Sequence, residues 1–173
     1  MKKIITLVAV MSIVNISFPV LAGKNLSVGD MNHYLDDCYQ QTLLIEQKVN
    51  PENLSVFACK QVLKSNWLSK EREANTRLNL GLVYLYQDKQ EKALVEFKRA
   101  VSAKPNLYQG HLALGKLLLS QKQYAESISH FDRALTINNA DQMVVRKRAL
   151  VVKLYNKSQT LLLSKNNSMS GNN

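Results

Sequence analysis

The sequence repeats itself at a spacing of 34 residues between Ala74 and Asp141. Leu78 maps onto Leu112, Leu80 onto Leu114, Gly81 onto Gly115 and Leu85 onto Leu119. Farther on, Leu94 maps onto Ile128, Phe97 onto Phe131, Arg99 onto Arg133 and Ala100 onto Ala134. A fixed period of this length marks a helical array, not a single compact enzyme core. Arrays of this kind bury each unit against its neighbours and usually bind other proteins.

The punctuation predicts an all-α array of helical hairpins. Asp30 can cap a helix running to about Lys48. Asn50 caps the next, with Pro51 at its first position, where a missing N–H costs nothing, and that helix runs to about Lys64. Ser69 caps a third helix with Glu71 and Glu73 in its first turn. Asp88 and Lys89 make a turn before a helix from about Gln90 to Ala103, which Pro105 and Asn106 stop. The pattern recurs as helices from Tyr108 to Ser120 and from Tyr124 to Ile137, joined by a turn at Gln121 to Gln123. A last helix from Gln142 to about Leu163 is too long and too charged for a repeat helix and reads as a cap. The expected division is 1–22, an export signal; 23–73, a divergent helical pair; 74–107 and 108–141, two repeats; 142–163, a capping helix; and 164–173, a tail poor in apolar residues and expected to be disordered.

The N-terminal reading rests on Lys2 and Lys3, the apolar run from Ile4 to Ile16, and the small-residue end at Ala22. This pattern is that of a cleaved secretory signal, and the alternative is an uncut anchor. Leu21, Ala22 and Gly23 resemble the run before the acylated cysteine of bacterial lipoproteins, but Lys24 follows, so no thiol is there to carry lipid. The expectation is a soluble periplasmic chain with no integral span after signal removal. Cys38 and Cys59, an even pair behind an export signal, read as one disulfide. They stand at similar distances from the break near Val49 and Asn50, which brings antiparallel helices to the same height. Two buried free thiols are the alternative, and zinc lacks a fourth ligand beside His33 and Cys38.

The repeated residues resemble the tetratricopeptide repeat family, in which each 34-residue unit is a pair of antiparallel helices. That pattern asks for a leucine and a small residue in the first helix, here Leu80 with Gly81 and Leu114 with Gly115, and a large residue three places on, Tyr84 and Leu118. In the second helix it asks for small, aromatic and small: Ala93, Phe97 and Ala100, then Ser127, Phe131 and Ala134. The closing proline is Pro105 in one unit and Asn139 in the other. The resemblance fades upstream, where Cys59 and Leu63 fit the second helix but Glu46 and Gln47 fall on the leucine and glycine places. The first part also looks like exported bacterial members of the family that carry paired cysteines before the first good repeat.

The resemblance implies a concave face lined by the first helix of each unit: Asn75, Leu78, Leu82 and Leu85; Gln109, Leu112, Lys116 and Leu119; then Met143, Arg146, Leu150 and Lys153 on the last helix. The set combines an apolar floor with three cations and no carboxylate. The carboxylate clamp of the chaperone-binding members is not expected, because Leu78 and Leu82 occupy its main places. No catalytic set, phosphate loop, cofactor motif or metal spacing is evident, and His111 reads as a packing residue. The expected function is a non-catalytic periplasmic adaptor for a protein or peptide with apolar and acidic groups. A net charge of +10 supports the alternative, a binder of anionic polymer or membrane surface through Arg146, Lys147, Arg148, Lys153, Lys157 and Lys165. Nucleic acid is disfavoured by the export signal and the lack of an aromatic stacking platform.

Overall fold

The computed structural model describes residues 27–65 and 68–170. The export-signal reading of 1–22 and the end of the expected tail, 171–173, lie outside the described residues. Among those described, the chain is an all-α array of seven helices: α1 (Val28–Glu46), α2 (Phe57–Leu63), α3 (Lys70–Tyr86), α4 (Gln90–Ala103), α5 (Tyr108–Ser120), α6 (Tyr124–Ile137) and α7 (Gln142–Ser170). Consecutive helices pack on one another, and α1 and α2 both pack on α3.

Local chemistry sets the helix ends. Ser27, not Asp30, caps α1. Its hydroxyl accepts from the Asp30 N–H and the Asp30 carboxylate accepts from the Ser27 N–H, both at 3.1 Å, a reciprocal capping box. The predicted helix 51–64 is divided. Asn50 caps a single 3-10 turn, Pro51–Asn53, after which the buried Leu54 takes an extended conformation and α2 starts afresh at Phe57. The Gln87 side-chain amide donates to the Pro51 and Leu54 carbonyls at 3.2 and 2.9 Å, pinning this connector to the end of α3.

Three hairpins turn through a non-glycine residue in the left-handed region: Lys48 (φ 56°), Asp88 (φ 57°) and Lys122 (φ 61°). In each, the following N–H reaches back to a helix carbonyl: Val49 to Leu44, Lys89 to Tyr84 and Gln123 to Leu118, the closing bond of a Schellman motif. Asp88 and Lys122 are one period apart, whereas Lys48 precedes Asp88 by 40 residues. The first pair therefore carries six extra residues, which the chain spends on the 3-10 turn and the Leu54–Val56 connector. Counted from its own turn, the place of Gly81 in α1 falls on Gln41, whose side chain accepts from the Ser55 N–H at 2.8 Å.

The glycines work through close approach. A Cβ on Gly81 would lie 2.5 Å from a Phe97 ring carbon, and one on Gly115 would lie 2.8 Å from Phe131. Both rings are fully buried, as are Ala93, Ala100 and Ala134, with Tyr84 nearly so. Ser127, at the small-residue place of the second unit, is buried because its hydroxyl donates to the Gly115 carbonyl at 2.7 Å. Cys38 and Cys59 are disulfide-bonded with a Cα–Cα distance of 4.8 Å, joining α1 to α2. At the other end, α7 continues past Leu163 through 164–170, where the sequence suggested a disordered tail. No proline or glycine interrupts it, and Ser158, Thr160 and Ser164 direct their hydroxyls back to carbonyls of their own helix.

Candidate partner-binding surface

The first helices of successive pairs, α3, α5 and α7, carry the twelve residues singled out from the sequence, and the structure divides them. Asn75, Gln109, Lys116, Met143, Arg146, Leu150 and Lys153 are exposed. Leu82 and Leu85 are half-buried against the core that runs from α1 to α5, and Leu112 and Leu119 are half-buried against the smaller core that α7 closes. Leu78 does not belong to an open surface. It is 9 % exposed and sits in the same core as Cys38, because α1 and α2 cover that part of α3. The accessible apolar groups thus concentrate toward α5 and α7.

That end is also where the charge gathers. Burial and the neighbouring Lys147, partly offset by Asp141, push the Lys116 pKa below the ordinary lysine value. Lys147 is thus near enough to act on Lys116 electrostatically, although the sequence did not place it on the groove. Asp141 organises the corner. One of its oxygens accepts from the N–H groups of Met143 and Val144 at 2.9 and 3.1 Å, capping α7. The other accepts from the Tyr108 hydroxyl of α5. Burial first, then this bond and the Asp141 charge, push the Tyr108 pKa up to about 12. The Tyr108 bond, in turn the largest cause, holds Asp141 below the usual carboxylate range. Of the basic residues on α7, Arg148 is already engaged by Asp132 of α6.

Two polar clusters escaped the sequence reading. In the first unit, Glu96 of α4 is 8 % exposed and accepts from Arg77 of α3 at 3.1 Å and from Arg99 at 3.0 Å, while Arg77 also pairs with Glu73. One period on, the places of Arg77 and Glu96 are held by His111 and His130, whose Nδ1 atoms are 3.0 Å apart. His111 Nε2 lies 3.0 Å from the Pro105 carbonyl. A carbonyl only accepts, so this nitrogen carries the proton, and His130 Nδ1 is then the donor to His111. The signal was available, since the period maps one pair onto the other, but neither pair matches a consensus place. Among the described residues no three His, Cys, Asp or Glu groups cluster as a metal site, and no helix is long and apolar enough to cross a membrane.

A family model described as tetratricopeptide repeat matches residues 74–107 and 108–141. Solved structures of similar fold include the first TPR of Spaghetti (RPAP3) bound to an HSP90 peptide, SRMEEVD, at 10 % identity and a TM-score of 0.61, covering 72 % of this chain and 97 % of that one. The TPR2B domain of yeast Sti1 in its pHsp70 complex is 14 % identical with a TM-score of 0.58, covering 70 % and 98 %. MamA is 14 % identical with a TM-score of 0.54, covering 77 % and 87 %. At these identities the likeness is one of fold. No curated protein matches the chain. Residues 74–141 are two tetratricopeptide repeats, set within an all-α helical repeat array.

Proposed function

We propose that this chain is an exported, non-catalytic adaptor of the periplasm that holds a protein or peptide partner on the face formed by α3, α5 and α7. The observation that carries this reading is the face of α5 and α7 that exposes Lys116, Arg146 and Lys153 beside half-buried Leu112 and Leu119 and exposed Met143 and Leu150. Cations gathered on one face select an acidic partner, while the apolar neighbours supply contact area. Relatives of the same fold are seen with peptides such as SRMEEVD, which supports a peptide as the occupant. With Leu78 buried, the carboxylate-clamp places cannot serve here, so acidic side chains rather than a terminal carboxylate are the expected contact. A partner recovered by crosslinking from envelope extract should bind less tightly to the Lys116→Glu, Arg146→Glu variant, with helical circular dichroism unchanged. Lys60→Glu on α2 with Lys64→Glu just after it is the control. Loss of binding in the control and not in the groove variant refutes the reading.

The periplasmic setting rests on the pattern of Lys2, Lys3, the apolar run and Ala22. N-terminal sequencing of the exported product should start near Gly23, and Met1 on an envelope-bound product refutes it. A second reading, a binder of anionic polymer or membrane surface, is favoured by α7, which has six basic residues and no acidic one between Gln142 and Ser170. Steep weakening of binding with salt distinguishes it from a mixed apolar groove.

A further inference from the structure

The helix α7 occupies the place of the first helix in a third repeat, and the face that a second helix would cover is open. In the first unit α4 covers Arg77, Gly81 and Tyr84 of α3, through Glu96, Phe97 and Lys92. In the second, α6 covers His111 and Gly115 of α5 through His130 and Phe131. One period on, these places are Val145, Ala149 and Val152. Val145 is 39 % exposed, Ala149 is exposed and Val152 is half-buried. The same stripe runs on through Asn156, Gln159 and Leu163. Its spacing alternates four and three, that of a helix–helix seam, and it carries no charge, with a single asparagine at a position that fixes register.

The chain up to Ser170 does not complete this unit itself. Asn156 stands one period after Lys122, where the backbone would have to turn, but α7 runs straight through it. The residues beyond are also wrong for a second helix. Leu161 would take the small-residue place of Ala93 and Ser127, and Lys165 the aromatic place of Phe97 and Phe131.

We propose that the seam on α7 is filled in trans by a helix of a partner protein. That helix is apolar along one stripe, with a large residue over Ala149, and acidic along the flank. Arg146, Lys153 and Lys157, all exposed, run beside one edge of the seam and set the charge of the partner. A second copy of the chain is the poorer occupant, because pairing two α7 helices along the seam sets Arg146, Lys153 and Lys157 of one beside those of the other, with no carboxylate on either α7. A bilayer is poorer still, because Asn156 and Gln159 interrupt the stripe. The seam adjoins the α3–α5–α7 face and shares Arg146 and Lys153 with it, whereas Val145, Ala149 and Val152 belong to the seam alone.

The test uses the full chain and a labelled, helix-stapled peptide with the α4 sequence Gln90–Ala103, in which Lys92, Lys98 and Arg99 are replaced by Glu. This probe keeps Phe97 for the Ala149 seat and offers acidic flanks. Fluorescence anisotropy should show saturable binding that falls at least about tenfold with Ala149→Glu, and that also weakens with Lys157→Glu, which lies outside the α3–α5–α7 face. Lys60→Glu should leave it unchanged, and circular dichroism with thermal melting checks that each variant stays folded. Three results overturn the proposal: no saturable binding or equal affinity across these variants; a dimer in sedimentation that Val152→Glu dissociates, which assigns the seam to a second copy; or phosphatidylglycerol vesicle binding that Val152→Glu abolishes, which assigns it to a membrane.

Discussion

Gly81→Ala isolates the contact on which each repeat is built. In an open helix this change stabilises by about 1 kcal/mol, because alanine has the higher propensity. Here the new Cβ would lie 2.5, 2.6 and 3.2 Å from three ring carbons of Phe97. The ring is fully buried, so it cannot swing out into solvent to make room. Overpacking of this kind costs roughly 1–3 kcal/mol, so the net result is a loss of up to about 2 kcal/mol, or a fall in Tm of up to roughly 8 °C for a chain of this size. Gly115→Ala should cost less, since its nearest ring carbons lie at 2.8, 2.9 and 3.0 Å. The valine versions of both should be worse again, and worse than Ser120→Val at an exposed helix end. Gly29→Ala, where the new Cβ meets only the Ser27 hydroxyl at 3.7 Å, is the control and should stabilise. Denaturant melts of Gly81→Ala, Phe97→Leu and the double variant close a cycle. The smaller side chain makes room for the new methyl, so the double should be more stable than additivity predicts by about 1 kcal/mol. An additive cycle, or a Gly81→Ala chain as stabilised as Gly29→Ala, refutes the close-approach argument.

Reduction of Cys38–Cys59, which closes a loop of sequence separation 21, should lower stability by about 3 kcal/mol; non-reducing peptide maps should show the linked pair, and two alkylatable thiols in the native exported protein would count against it. His130 should make the second repeat acid-sensitive. Burial first, then the His111 charge, with Lys98 adding and Glu126 opposing, hold its pKa below the ordinary 6.5. The unfolded chain then binds the proton more readily, so stability is complete above pH 6.5 and is lost as pH falls below it. His130→Gln should flatten that limb of a stability–pH profile, and an unchanged profile contradicts the assignment. Asp141→Ala removes the α7 cap and should cost about 1–2 kcal/mol. The same change should lower the Tyr108 titration from about 12 in an absorbance titration, with burial still holding it above 10, and a fixed titration would show that Asp141 is not the partner.

What the sequence made legible follows from strict local rules. The bounds of α4, α5 and α6 could be read residue by residue, because Pro105, the turn residues and the small–aromatic–small pattern repeat without insertion. The first pair was harder. Its second helix keeps the period through Cys59 and Leu63, but the six-residue insertion before it shifts α1, so the frame landed on Glu46 and Gln47 instead of Gln41. Ser27 was passed over for Asp30 because a capping box uses both, and only the geometry says which one opens the helix. Leu78 looked like groove because its place faces ligand in other arrays. Here α1 and α2 lie over that face of α3, a tertiary fact that no periodicity carries. The Arg77–Glu96 and His111–His130 pairs share a place in the frame but not a residue type, so a search for like residues could not find them.

The disulfide gives the array a direction. In a stack where each unit touches only its neighbours, opening travels inward from whichever end is looser. The α1–α2 end is held by a covalent bond, while the far end is one long helix resting on α6 alone among its strong contacts. Amide protection against hydrogen exchange should therefore form a gradient, lowest along the outer half of α7, rising through α6 and α5, and highest where α3 meets the clipped pair. The chain is a ratchet with one end welded and the other left to fray, and the freely opening end is the one that presents its cations and its uncovered seam.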